Sequence, residues 1–147
     1  MPIRTEAIGK RYPALSYAVG REKIREYAAS VGDQQPLHHD LDAARQAGYE
    51  DLVAPRMFTV VYCRPALAAA LFDPGLGIDF ARLVHGSQSF RWGKMVFAGD
   101  EITTVLTVAD ISERAGLAFY VLDTTSENQR GDLVCEGTWT NIVRGSG

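Results

Sequence analysis

Residues 20–31, GREKIREYAASV, set Ile24, Tyr27, Ala28 and Val31 at i, i+3, i+4 and i+7. One apolar stripe at that spacing predicts an amphipathic helix, and Gly32 is a natural stop. Residues 40–51, DLDAARQAGYED, predict a shorter helix, with Asp40 or Asp42 as its N-cap and Gly48 near its end. Residues 56–72, RMFTVVYCRPALAAALF, are apolar on most sides, and a helix of that kind belongs inside a core. Pro55 suits its first turn, where a missing N–H removes no hydrogen bond. Pro65 does not suit its interior, so a kink or break is expected across residues 61–65. DPGLG then ends the helix.

Beyond residue 81 the period changes. Residues 82–95, 100–114, 116–129 and 132–144 are rich in Val, Ile, Thr and aromatic residues and predict four strands. ERAG and NQRGD supply turns with glycine where a positive φ is needed. In DLVCEGTWTNIV small and apolar residues alternate with polar ones, as on a half-buried sheet. Helices first and strands second predict an α+β fold: a long antiparallel sheet able to wrap the buried helix. With no repeat and no linker, residues 1–147 read as a single domain.

The length, 147 residues, lets folding bury roughly two-thirds of the unfolded surface, so a core needs no disulfide or metal. The net charge of −3, without a basic cluster, argues against nucleic-acid binding. No leader-like apolar run opens the chain and no window is long enough to span a bilayer, so a cytoplasmic setting is expected. Cys63 and Cys135 form no CxxC pair and no cluster with histidine, and read as buried free thiols. No metal site is expected.

Three histidines occur in the chain, and two of them stand side by side in DQQPLHHD, Asp33 to Asp40. Imidazole titrates near neutrality and can both take and give a proton. Pro36 restricts the segment between Asp33 and His38, which suits an acid–base pair that must keep its geometry. His39 reads as a surface residue or a support for the pair. His85 reads as a sheet residue lining a substrate channel. Tyr62, Phe90, Trp92 and Trp139 read as core or interface aromatics rather than ligand contacts.

Three segments together resemble the MaoC-type hydratases and dehydratases, from about residue 5 to 144. DQQPLH matches the family motif Asp-x-Asn-Pro-x-His at Asp33, Pro36 and His38, with Gln35 at the Asn position. VAPRMF stands where the family reads roughly Ile-Ala-His-Gly-Met-Leu, keeping Ala54 and Met57 but carrying Pro55 and Arg56 at the His and Gly positions. HGSQSFRWGKMVFAGDEIT is similar to the family's strand, crossover and turn, with Ala98-Gly99-Asp100 as the turn. VGREKIREYAASVGD and GYEDLVAPRMF resemble one branch more closely, the A-type subunits of mycobacterial and other actinobacterial β-hydroxyacyl-ACP dehydratases. Those subunits shape the acyl channel and lack the catalytic pair, whereas this chain keeps Asp33 and His38.

The resemblance implies a hotdog fold and an (R)-specific enoyl-thioester hydratase, or in reverse a 3-hydroxyacyl-thioester dehydratase, with Asp33 and His38 as the catalytic pair. It implies an oxyanion hole at the start of the central helix, where orphan amides point outward. Pro55 has no N–H, so Arg56 and Met57 are the candidate donors. The Arg56 side chain is a candidate contact for the pantetheine or phosphate of a carrier. Arg64 aligns with a position that faces the aspartate in some members but reads as solvent-facing. The substrate is expected on coenzyme A or acyl carrier protein, without a further cofactor, and the chain is expected to form a homodimer or a heterodimer with a second hotdog chain. A non-catalytic acyl-binding partner subunit is the alternative. A thioesterase fits less well, because residues 57–72 contain no Asp or Glu for the helix carboxylate such enzymes use. Residues near Pro65 and DPGLGIDF are expected to set channel depth.

Overall fold

The computed structural model describes residues 2–145. In chain order it contains β1 (Leu15–Ala18), α1 (Arg21–Ser30), α2 (Leu41–Gln46), α3 (Thr59–Tyr62), α4 (Arg64–Leu71), β2 (Leu83–Trp92), β3 (Glu101–Arg114), β4 (Leu117–Glu127) and β5 (Leu133–Arg144). The five strands form one antiparallel sheet in the order β1-β3-β4-β5-β2. Its concave face wraps the α3–α4 segment. The four predicted strands are present. The short edge strand β1 is an addition to them.

The inner face is set by alternation along each strand. Ile102, Thr104, Leu106 and Val108 of β3 point inward and are buried. A register shift between Val108 and Asp110 inserts one residue, and Ile111 faces inward again. Tyr120 and Leu122 of β4, and Cys135 and Trp139 of β5, complete the same core.

Pro65 divides the central helix as its chemistry requires. A 3-10 turn at Arg56–Phe58 leads into α3, and α4 starts after a junction at Cys63. Pro55 precedes the first turn rather than entering it. Phe58 is fully buried at the head of this segment, with the rings of Tyr17, Tyr27 and Tyr62 around it at 5.7–6.4 Å. On α1, Ile24 and Ala28 are buried and Tyr27 is half-buried. Val31 lies just past the last turn and is exposed. Asp40, not Asp42, caps α2, its Oδ1 accepting from the N–H groups of Asp42 and Ala43.

The loop after α4 is tied to the N-terminal segment. Asp73 accepts from Tyr12 and from the Lys10 ammonium, each at 2.5 Å. These bonds, first Lys10, then Tyr12 and the Gly75 N–H, hold the Asp73 carboxyl down from its ordinary 3.8 to about 2. A depressed carboxyl stabilises the fold above its unfolded-state value and loses that contribution as pH falls through the folded one. Asp73→Asn is therefore expected to be less stable than the wild type at pH 6. The gap in urea midpoints should close as pH drops from about 4 towards 2. A gap that stays constant over that window would contradict this role.

The same clamp corrects one expectation. In DPGLGIDF, Leu76 is fully buried and Asp73 holds the N-terminal segment, while Phe72 and Phe80 stack on the surface with centroids 4.9 Å apart. This region lies beyond the far end of α4 and borders none of the cavity described below. It does not set the depth of that cavity.

Candidate active site

α1 ends in a reversal that delivers Asp33. Gly32, at φ +74°, donates its N–H to Ala29 O, and Asp33 donates its own to Ala28 O. This paired Schellman arrangement requires a residue with free access to positive φ, which glycine supplies. The chain then turns on the Asp33 side chain itself, whose Oδ1 accepts the Gln35 N–H at 3.1 Å. What the loop uses at position 35 is a backbone N–H, which Gln offers as well as Asn does.

Pro36–His38 form a single 3-10 turn that brings His38 back over Asp33. The His38 Nε2 lies 3.2 Å from Asp33 Oδ2. The other ring nitrogen, Nδ1, donates to the carbonyl of Val53 at 2.6 Å. Val53 is held in turn, with its N–H on Leu37 O and a bridge to Phe97. His39 supports the pair: its Nε2–H donates to Asp33 O at 2.7 Å, and its carbonyl accepts from Arg25 Nε.

This geometry constrains the protons. Val53 O can only accept, so Nδ1 carries a hydrogen. Nε2 is left as the ring nitrogen that faces Asp33 Oδ2, with the His38 side chain 10% and the Asp33 side chain 32% exposed. One member is dry and oriented, and the other is open to an incoming group.

The pair faces a cavity of about 400 Å³. Buried Val53, Ala54, Tyr62 and Val134 line its inner part, and exposed Arg56 and Lys94 stand at its mouth. Tyr62 donates to or accepts from Thr59 Oγ1 at 2.8 Å, and burial pushes its phenol well above the usual range, so it stays neutral. Trp92 donates its Nε1–H to Arg56 O at 2.9 Å and to Thr59 Oγ1 at 3.1 Å. The Arg56 guanidinium lies over the Trp92 ring, 5.8 Å from its centroid. Among the described residues, neither the Arg56 nor the Met57 N–H finds a hydrogen-bond acceptor. Both precede the first bonded N–H of the turn, that of Phe58 on Pro55 O. Arg56 borders the cavity. Met57 does not line it and turns its side chain outward.

Several expectations need adjustment. Tyr62 and Trp92 line the cavity and are not merely core, whereas Phe90 and Trp139 do pack in the core. His85 lies against Trp139 and away from the cavity. It precedes Trp92 by seven residues of extended strand, roughly 23 Å. Arg64 is exposed and makes no contact with Asp33. Sequence reasoning did not single out Val53, whose carbonyl sets the tautomer, or Lys94. No group of three or more His, Cys, Asp or Glu side chains able to hold a metal occurs among the described residues.

Residues 6–137 match the family described as FAS1-like, dehydratase domain region. A UPF0336 protein of Saccharopolyspora erythraea is 42% identical over 147 residues, spanning 99% of this chain and 94% of that protein. The C-terminally truncated HadBC (3R-hydroxyacyl-ACP dehydratase) complex from Mycobacterium tuberculosis superposes with a TM-score of 0.80 at 30% identity, over 94% of this chain and 98% of that one. A MaoC-like dehydratase gives 0.81 at 28% identity, over 95% of this chain and 43% of that one. The match over nearly all of the strands and helices that carry Asp33, His38 and the cavity makes the chain a member of the FAS1-like dehydratase-domain family, a MaoC-like hydratase/dehydratase group built on the hotdog fold.

Proposed function

We propose that the chain is an (R)-specific enoyl-thioester hydratase, equally a 3-hydroxyacyl-thioester dehydratase, with Asp33 and His38 as its catalytic pair. The observation that carries this reading is the 3.2 Å contact between His38 Nε2 and Asp33 Oδ2 at the wall of a cavity, with Nδ1 anchored on Val53 O. A water held by the two groups adds its oxygen to the β-carbon and gives one proton to the Asp33 carboxylate. His38 delivers its Nε2 proton to the α-carbon. The proton on Asp33 then returns to Nε2, so the pair ends as it began. Negative charge that gathers on the thioester oxygen is assigned to the free N–H groups at the head of the central helix, Arg56 first and Met57 second. The steps run backwards for dehydration. The reaction draws on no redox step, and the reading assigns no cofactor beyond the acyl carrier itself.

A second hotdog chain fits the open edge of the sheet. β2 is ten residues long and has a neighbour on one side only. An edge of that length invites pairing, and we assign it to a homodimer or heterodimer interface. The alternative of a non-catalytic partner subunit draws support from Arg56, which crowds the oxyanion position where the family has glycine. The oriented Asp33–His38 unit supports the enzyme over it. Chiral analysis of the product from trans-2-enoyl-CoA tests the proposal: (R)-3-hydroxyacyl-CoA is expected, and the (S) product or none would refute it.

A further inference from the structure

We infer that Tyr62 is the floor of the cavity and restricts the substrate to short acyl thioesters, of the butyryl class. The inference rests on the thioester reading above and adds which acyl groups that site accepts. The cavity, about 400 Å³, lies near the small end of the roughly 300–1,000 Å³ usual for ligand sites. The acyl group has to share that space with the thioester and the thiol end of its carrier. Asp33 and His38 stand on the cavity wall, and buried Tyr62 and Val134 lie at its inner part. DPGLGIDF borders none of it, so another group must set its depth.

Hydrogen-bond accounting shows what Tyr62 can and cannot do. Thr59, the first residue of α3, has one hydroxyl hydrogen, and it goes to Arg56 O at 3.0 Å. In the 2.8 Å contact between Thr59 Oγ1 and the phenol, Tyr62 is therefore the donor. The Trp92 Nε1–H takes the second acceptor position on the same oxygen at 3.1 Å. Tyr62 has given away its only hydrogen, and burial keeps the phenol neutral, so it has no proton to offer a substrate. It acts as a wall, and the bond to Thr59 holds the ring in place.

Next to that ring the core is closed. Cys63 and Cys135 are buried, and the Cys63 Sγ lies 3.5 Å from Ser126 Oγ, which is 2.8 Å from Thr104 Oγ1. An alkyl chain pushed past Tyr62 would strip these buried hydroxyls of their partners and offer none in return. The next inward position of β5, Gly137, leaves no lane either. A Cβ there would stand 2.9 Å from Trp139 Nε1 and 3.0 Å from Phe90 Cε1, because those rings already fill the space.

Saturated acyl-CoA esters read the floor without any turnover. In a channel open at its inner end each added methylene tightens binding roughly fourfold, so octanoyl-CoA would exceed butyryl-CoA by on the order of a hundredfold. With the floor in place, calorimetric titration of the wild-type protein is expected to give octanoyl-CoA at most about a threefold advantage over butyryl-CoA. That comparison needs no variant to fold. Tyr62→Leu removes the ring and should raise the octanoyl-to-butyryl affinity ratio by about tenfold or more. Tyr62→Phe keeps the ring, loses only the bond to Thr59, and should keep the wild-type ratio. A wild-type ratio above about threefold, or no binding of either ester, would overturn the floor. So would a folded Tyr62→Leu whose ratio does not rise, or a Tyr62→Phe whose ratio rises as far as that of Tyr62→Leu. A short-chain pattern in a protein that hydrates no enoyl thioester would leave the floor standing and the hydratase reading refuted.

Discussion

Replacing His38 by glutamine, or Asp33 by asparagine, is expected to lower kcat for enoyl-thioester hydration by about 10²- to 10⁴-fold. Glutamine retains an amide that can donate towards Val53 O but cannot exchange a proton. Asparagine retains the oxygen that accepts the Gln35 N–H, so the turn survives. Its amide nitrogen then faces Nε2, where the carboxylate oxygen stood 3.2 Å away. An amide there cannot take a proton from water, which ends the shuttle. Because both groups act on one water in the proposed reaction, each single change removes the same function. The double variant is therefore expected to lose little more than either single one, the non-additivity typical of residues that act as a unit. Steady-state kinetics on the three variants checks this. A single variant within about threefold of the wild type would remove its residue from the chemistry.

Phe58→Ala is expected to cost about 3–5 kcal/mol of folding stability. The side chain is fully buried and packed by three tyrosine rings, from β1, α1 and α3. Both the lost burial and the residual cavity count. For a domain of this size the melting temperature should fall by roughly 10 °C, readable by calorimetry. Ordinary domains have only about 5–15 kcal/mol in total, so this is a large share. The Phe58 N–H also closes the turn on Pro55 O that presents Arg56 to the cavity. A loss below about 1 kcal/mol would mean that the ring cluster is not the keystone of the central segment.

The parts of the fold that were legible in the sequence are those governed by local pattern. Richness in Val, Ile, Thr and aromatic residues announced β2 to β5, and alternation marked β5 as half-buried. Pro65 announced the divided helix, and Gly32 the end of α1. β1 was not legible because four residues are too short a run to carry a signal; the strand forms by pairing with Glu101–Thr104 of β3. The Asp33–His38 pair was legible because six residues contain its whole geometry. The rest of the site was not, because it is assembled across the chain. Val53 acts through a carbonyl, which every residue has. Tyr62 and Trp92 resemble any buried aromatics until the cavity shows which face they present. His85 failed for the opposite reason: its strand was read correctly, but a strand places residues along a line, and His85 stands at the wrong end of it.

On the proposed reading, this chain alone carries a complete, working acid–base pair. The most direct measurement is the loss of conjugated enoyl absorbance when the purified chain alone, with no second hotdog protein, is mixed with a short trans-2-enoyl-CoA. The expected result is steady hydration that scales with protein concentration and disappears in Asp33→Asn. A folded chain that leaves short and long enoyl thioesters untouched would contradict the claim and make the protein the binding subunit of a dehydratase whose chemistry lies on its partner.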